Sequence, residues 1–148
     1  MRVHIGSDHA GFEMKKMFVE VLAADGHEVV DHGPAQFDPL DDYPPFCLDT
    51  AAGVVSDSGS LGIVLGGSGN GEQIAANKVD GARAALCWSV EIAELARQHN
   101  DANVMSIGAR MHSDAQAVDI VRSFLATPFS NDERHIRRIK QLAEYESA

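Results

Sequence analysis

The 148-residue chain has few of the features that would place it outside the ordinary globular proteins. It carries two cysteines, Cys47 and Cys87, without metal-ligand spacing, so neither a disulfide framework nor a zinc site is expected. Cys87 falls in the apolar run Ala84 to Trp88 and reads as a small buried hydrophobe, which suits a reducing, cytoplasmic setting. No segment approaches the roughly 20 consecutive apolar residues of a membrane span, and Met1 to Ile5 has no apolar signal core. Basic residues are scarce as well: 12 Lys and Arg stand against 22 Asp and Glu, for a net charge of −10. That balance excludes a protein that binds nucleic acid by neutralising phosphates. Repeats, low-complexity tracts and linkers are also absent, so one domain over 1–148 is expected.

What basic charge there is lies close together. Four of the 12 Lys and Arg residues fall between Arg134 and Lys140, in a C-terminal helix expected over about 131–146. The steps from Arg134 to Arg137 and to Arg138 are i,i+3 and i,i+4, which puts three guanidinium groups on one helical face. Repulsion among them would be relieved by a bound phosphate.

Along the chain, five short apolar runs alternate with helical patterns. Strands are expected at 3–5, 27–32, 61–65, 83–87 and 103–107. Between them lie a helix carrying Phe12, Met14, Phe18 and Leu22, one over about 45–55, a short one over 73–78, and one capped by Ser89 that runs to Asn100. Two capping boxes, Ser113 with Gln116 and Ser130 with Glu133, announce the last two helices. Such alternation predicts an α/β three-layer sandwich with a five-stranded parallel sheet, Rossmann-like in kind. In that architecture ligands sit past the carboxyl ends of the strands.

Most of the conspicuous polar residues lie at such positions. Leu61 to Leu65 runs into Gly66, Gly67, Ser68, Gly69, Asn70, Gly71 and Glu72, a turn of small residues that exposes main-chain N–H groups to an anion or a developing oxyanion. The spacing fits neither the dinucleotide fingerprint nor the P-loop. A carboxylate at Glu72, beside such donors, could remove a proton from a carbon acid while the donors stabilise the oxyanion. Taken alone, Asp8 and His9 also read as a helix cap, Glu72 as a dipole partner, and His99 with Asn100 as a helix end.

Together, Ser7 to Gly11, Gly66 to Gly71 with Ile74 to Lys78, Arg83 to Leu86, His99 to Asn103, Gly108 to Arg110 and Arg134 to Arg138 resemble the type B ribose-5-phosphate isomerases, within the ribose/galactose isomerase family. The resemblance implies an aldose–ketose isomerase of the non-oxidative pentose phosphate pathway, without metal or other cofactor, working through a cis-enediolate in a homodimer with shared sites. By position it makes Glu72, His99 and Asp8 catalytic: His99 and Asp8 open the ring and Glu72 moves the proton. It assigns substrate binding to Asp8, His9, Gly67, Ser68, Gly69, Asn70, Gly71 and Asn100, and phosphate binding to Arg110, Arg134 and Arg138. It further implies that His99, Asn100 and Arg110 come from the partner subunit. One departure stands out, since many members carry a cysteine base where this chain has Gly66; the likeness is to the branch that uses a glutamate after the loop. Alternative readings are an isomerase of six-carbon sugar phosphates, of the allose or galactose 6-phosphate type, and a non-catalytic sugar-phosphate sensor.

Overall fold

A computed structural model describes all of residues 1–148. Strand β1 (Arg2–Ser7) leads through a 3-10 turn (His9–Gly11) into α1 (Phe12–Ala24), followed by β2 (Glu28–Asp31), α2 (Tyr43–Val55), β3 (Leu61–Gly66) and α3 (Asn70–Ala76). The second half runs β4 (Ala84–Leu86), α4 (Val90–Asn100), β5 (Val104–Gly108), α5 (Asp114–Ala126) and α6 (Glu133–Glu146). All strand pairs are parallel, in the order β2-β1-β3-β5-β4. No helix is long and apolar enough to cross a membrane.

Side-chain alternation along the buried strands builds the layers. Ile63 and Leu65 of β3 face α1, α4 and α5, in a core with Phe18, Leu22, Ala96, Ile120 and Phe124. Val64, between them, faces the other way onto α2 and α3, with Cys47, Ala51, Val54 and Ala76. Both cysteines are thus free and buried. One charged residue breaks the apolar face of α1: Lys15 is 2% exposed, and its Nζ donates to both oxygens of Asp31 at 2.8 Å and to the Pro34 carbonyl at 2.9 Å. This tie fixes the start of the 33–42 segment over the sheet.

Helix ends mostly follow the expected chemistry. Ser89 accepts from the Ile92 N–H, and Ser113 and Gln116 form the reciprocal box. Two pronounced α2 positions, Pro44 and Pro45, occupy its first turn, where no N–H is needed. The second box does not form. Asp132 caps α6 by accepting from the Arg134 N–H, while the Ser130 hydroxyl bonds the His135 ring at 2.7 Å. A carboxylate two residues closer to the helix outcompetes the hydroxyl. Helix α3 begins at Asn70 rather than Gln73, because Gly69, at φ +88°, turns the chain into it.

Candidate active site

Three segments converge at the carboxyl end of β3. The turn after β1 is drawn onto this strand by the Asp8 N–H, which donates to the Leu65 carbonyl at 3.3 Å. Gly11 allows the approach, since a Cβ there would lie 2.7 Å from that of Leu65. From the other side, the Ala109 and Arg110 N–H groups donate to the carbonyls of Gly66 and Gly67 at 2.7 and 3.1 Å, and the Ser106 hydroxyl donates to Gly69 O at 2.6 Å. The glycine loop is therefore clamped along its length.

Glu72 lies in the first turn of α3 and is 4% exposed. Its carboxyl group folds back over the end of β3 into the space that a side chain on Gly66 would fill: a Cβ built there would fall inside the carboxyl group. A side chain at 66 and a carboxylate at 72 thus compete for one position. Burial pushes the Glu72 pKa up, and the nearby charge of Asp8 pushes it further; the N–H groups of Glu72 itself and Gly69 pull the other way. The result is a carboxylate more basic than an exposed one, in contact with main-chain donors. Of the first-turn N–H groups of α3, that of Glu72 meets its own carboxyl group and that of Asn70 meets the Ser68 hydroxyl at 3.3 Å.

Around this carboxyl group the structure gathers Asp8, His9, Gly67 to Gly71 and Arg110. Asp8 is buried, and its Oδ1 caps the 3-10 turn by accepting from the N–H groups of Ala10 and Gly11 at 2.9 and 3.3 Å. His9 bonds Asp41 through both its main-chain N–H and its ring Nδ1. The hydrogen bond to Asp41 raises the His9 pKa; Asp8 adds to this and Arg110 opposes it. Arg110 lies against the glycine loop of its own chain. Its Nη1 lies 3.1 Å from the position of a Cβ on Gly67 of its own chain, because its main chain is pinned to that loop.

Two residues in this neighbourhood have no signal in the sequence. Asp41 lies in a loop legible only by its prolines. The Tyr43 hydroxyl, at the start of α2, would be 2.7 Å from a Cβ on Gly71, so its phenol rests on the glycine loop. Asp8, His9 and Asp41 also present ligand atoms within 4.8 Å of one another, the nearest approach to a metal-binding set, but here Asp41 and His9 are joined by hydrogen bonds.

The remaining predicted residues sit elsewhere. His99 and Asn100 end α4, which leads into the start of β5, and the Asn100 carbonyl accepts from Arg83, just before β4. The ring of His99 is 4.4 Å from that of His135 on α6. Burial lowers the His135 pKa, and His99, Arg134 and Arg138 lower it further against the opposing charge of Asp132, so basic groups gather around it. The cluster lies at the amino ends of the strands and Glu72 at their carboxyl ends. The five residues of β5 separate those ends by roughly 13 Å.

Residues 3–142 match the family model described as Ribose/Galactose Isomerase. The chain belongs to the ribose/galactose isomerase family. Ribose-5-phosphate isomerase B of Mycobacterium tuberculosis is 59% identical over 146 residues, covering 99% of this chain and 90% of that protein. Among solved family structures, that of Mycoplasma genitalium ribose-5-phosphate isomerase B with bound ribulose-5-phosphate superposes with a TM-score of 0.95 at 43% identity, covering 99% of this chain and 96% of that one. The Clostridium thermocellum ribose-5-phosphate isomerase B gives 0.95 at 40%, covering 99% and 98%. The all-parallel sheet and the three layers are those of the family.

Proposed function

We propose that this chain interconverts ribose 5-phosphate and ribulose 5-phosphate through a cis-enediolate, in the non-oxidative branch of pentose phosphate metabolism. The observation that carries the reading is the Glu72 carboxyl group, buried at a helix start in the space left by Gly66 and held more basic than usual. A base of that kind takes the C2 proton and returns it to C1, while loop N–H groups stabilise the charge on oxygen. Asp8 and His9 lie beside it to handle the sugar hydroxyls, with Arg110 over the loop. His99 supplies the ring-opening proton, Asn100 holds a reacting oxygen, and Arg134 and Arg138 bind the phosphate.

These last four lie a strand's length from Glu72 in one chain, which supports a homodimer in which each site takes its acid and its phosphate cradle from the partner. The unpaired edge of β4 and the exposed Ile74, Trp88 and Leu142 offer an apolar face for a second copy. Opposite charge favours the same pairing: the cationic cluster of one copy would meet the carboxylates of the other. We place the enzyme in the cytoplasm, a setting suited to two free, buried thiols.

The test is proton exchange. With ribose 5-phosphate in deuterated water, the protein should exchange the C2 proton and form the ketose. Glu72→Gln should lose turnover by at least about 10²-fold while still binding sugar phosphate; undiminished exchange in the variant would remove Glu72 from its role.

A further inference from the structure

In the loop from Gln36 to Asp42 the side chains face solvent, except at Asp41. Leu40 beside it is 87% exposed, whereas the Asp41 side chain keeps 9% of its surface. Its Oδ1 takes two hydrogen bonds from a single residue, the main-chain N–H of His9 at 2.9 Å and the ring Nδ1 at 2.8 Å. Its Oδ2 is buried and has no partner. A loop carboxylate turned inward with one oxygen unbonded costs desolvation free energy. Its two bonds to one histidine indicate what that arrangement secures.

An ionised carboxylate can only accept, so the Nδ1 of His9 must carry a proton whether the ring is neutral or cationic. The other ring nitrogen, Nε2, makes no hydrogen bond to the protein, and the His9 side chain is 30% exposed, within electrostatic range of Asp8 and Arg110. We propose that Asp41 is a positioning residue of the active site: by holding the Nδ1–H and the main chain of His9 it fixes the ring's rotation and tautomer, so that Nε2 alone meets the sugar phosphate. In the neutral ring Nε2 accepts from a sugar hydroxyl, and in the imidazolium it donates to an anionic oxygen. The 33–42 segment, anchored by Lys15 at one end and by Asp41 at the other, thereby sets the geometry of a residue on a different loop.

This inference rests on the isomerase reading, and the test separates the two. Histidine 15N spectra of the free wild-type protein at neutral pH should show His9 protonated at Nδ1; a neutral ring carrying its proton on Nε2 overturns the proposal without any variant. In the second arm, Asp41→Leu should lower kcat/KM for ribose 5-phosphate by about tenfold in the wild-type background, and by less than about twofold when His9 is already alanine. Equal losses in both backgrounds would mean that Asp41 does not act through His9. A wild-type protein that fails to turn over ribose 5-phosphate would instead refute the isomerase reading and leave the spectra to decide the role of Asp41.

Discussion

The buried carboxylate of Glu72 gives two pH trends of opposite sign. Because desolvation and Asp8 raise its pKa in the folded chain above the unfolded value, ionisation costs the folded state more than the unfolded one. The penalty is fully present above the folded pKa and disappears as pH falls to the ordinary carboxylate range, about 4.3. Activity runs the other way, since a base must be deprotonated: kcat/KM should fall as pH drops through that same raised pKa. Glu72→Gln should therefore have a higher Tm than wild type at neutral pH, a gain that shrinks toward pH 4 in thermal melts across pH. A gain independent of pH would point to packing instead. At the neighbouring position, Gly66→Ala places a methyl inside the carboxyl group. It should cost about 1–3 kcal/mol by overpacking and reduce turnover. The double variant Gly66→Ala/Glu72→Ala should regain the stability, measured by urea unfolding, but stay inactive.

At the scale of elements, what the sequence discloses and what it hides follow from the range of the forces involved. The five strands and the helices between them are set by periodicity and local capping, and these were legible to within a few residues. So was the glycine turn, because a strand running into small residues and then a helix has a composition of its own. Competition between adjacent caps was not legible: Ser130 and Asp132 both suit the start of α6, and the choice depends on His135 engaging the Ser130 hydroxyl. Asp132→Ala should accordingly destabilise the protein by about 1 kcal/mol. Chemical denaturation would show it as a lower midpoint, and an unchanged midpoint would mean that Ser130 can take over the cap. Asp41 was hidden for a related reason. In the run Asp38, Pro39, Leu40, Asp41, Asp42 no periodicity separates the one inward carboxylate from its exposed neighbours; only the approach of the His9 turn does. Lys15 likewise sits among apolar residues of α1 without any local sign that Asp31 and Pro34 will meet its ammonium.

For the whole molecule, the common polarity of the strands divides the predicted site in two. Glu72, Asp8, His9 and Arg110 gather at the carboxyl ends of the strands; His99, Asn100 and the α6 arginines gather at the amino ends. The division follows from the parallel sheet itself: α4 must return from the carboxyl end of β4 to the amino end of β5, which leaves His99 and Asn100 at the amino ends. The resemblance assigns Arg110 to a partner's site, whereas within one chain its main chain is bonded to the glycine loop and its guanidinium lies over Gly67. The proposed mechanism requires the two halves to be joined across a twofold axis. Subunit mixing tests that most directly. Glu72→Gln and His99→Asn should each be inactive alone. Denatured together and refolded as an equal mixture, half of the dimers should be mixed, and each mixed dimer should hold one site with both residues intact, restoring about a quarter of wild-type activity with ribose 5-phosphate. A refolded mixture as inactive as its parents would contradict the shared site.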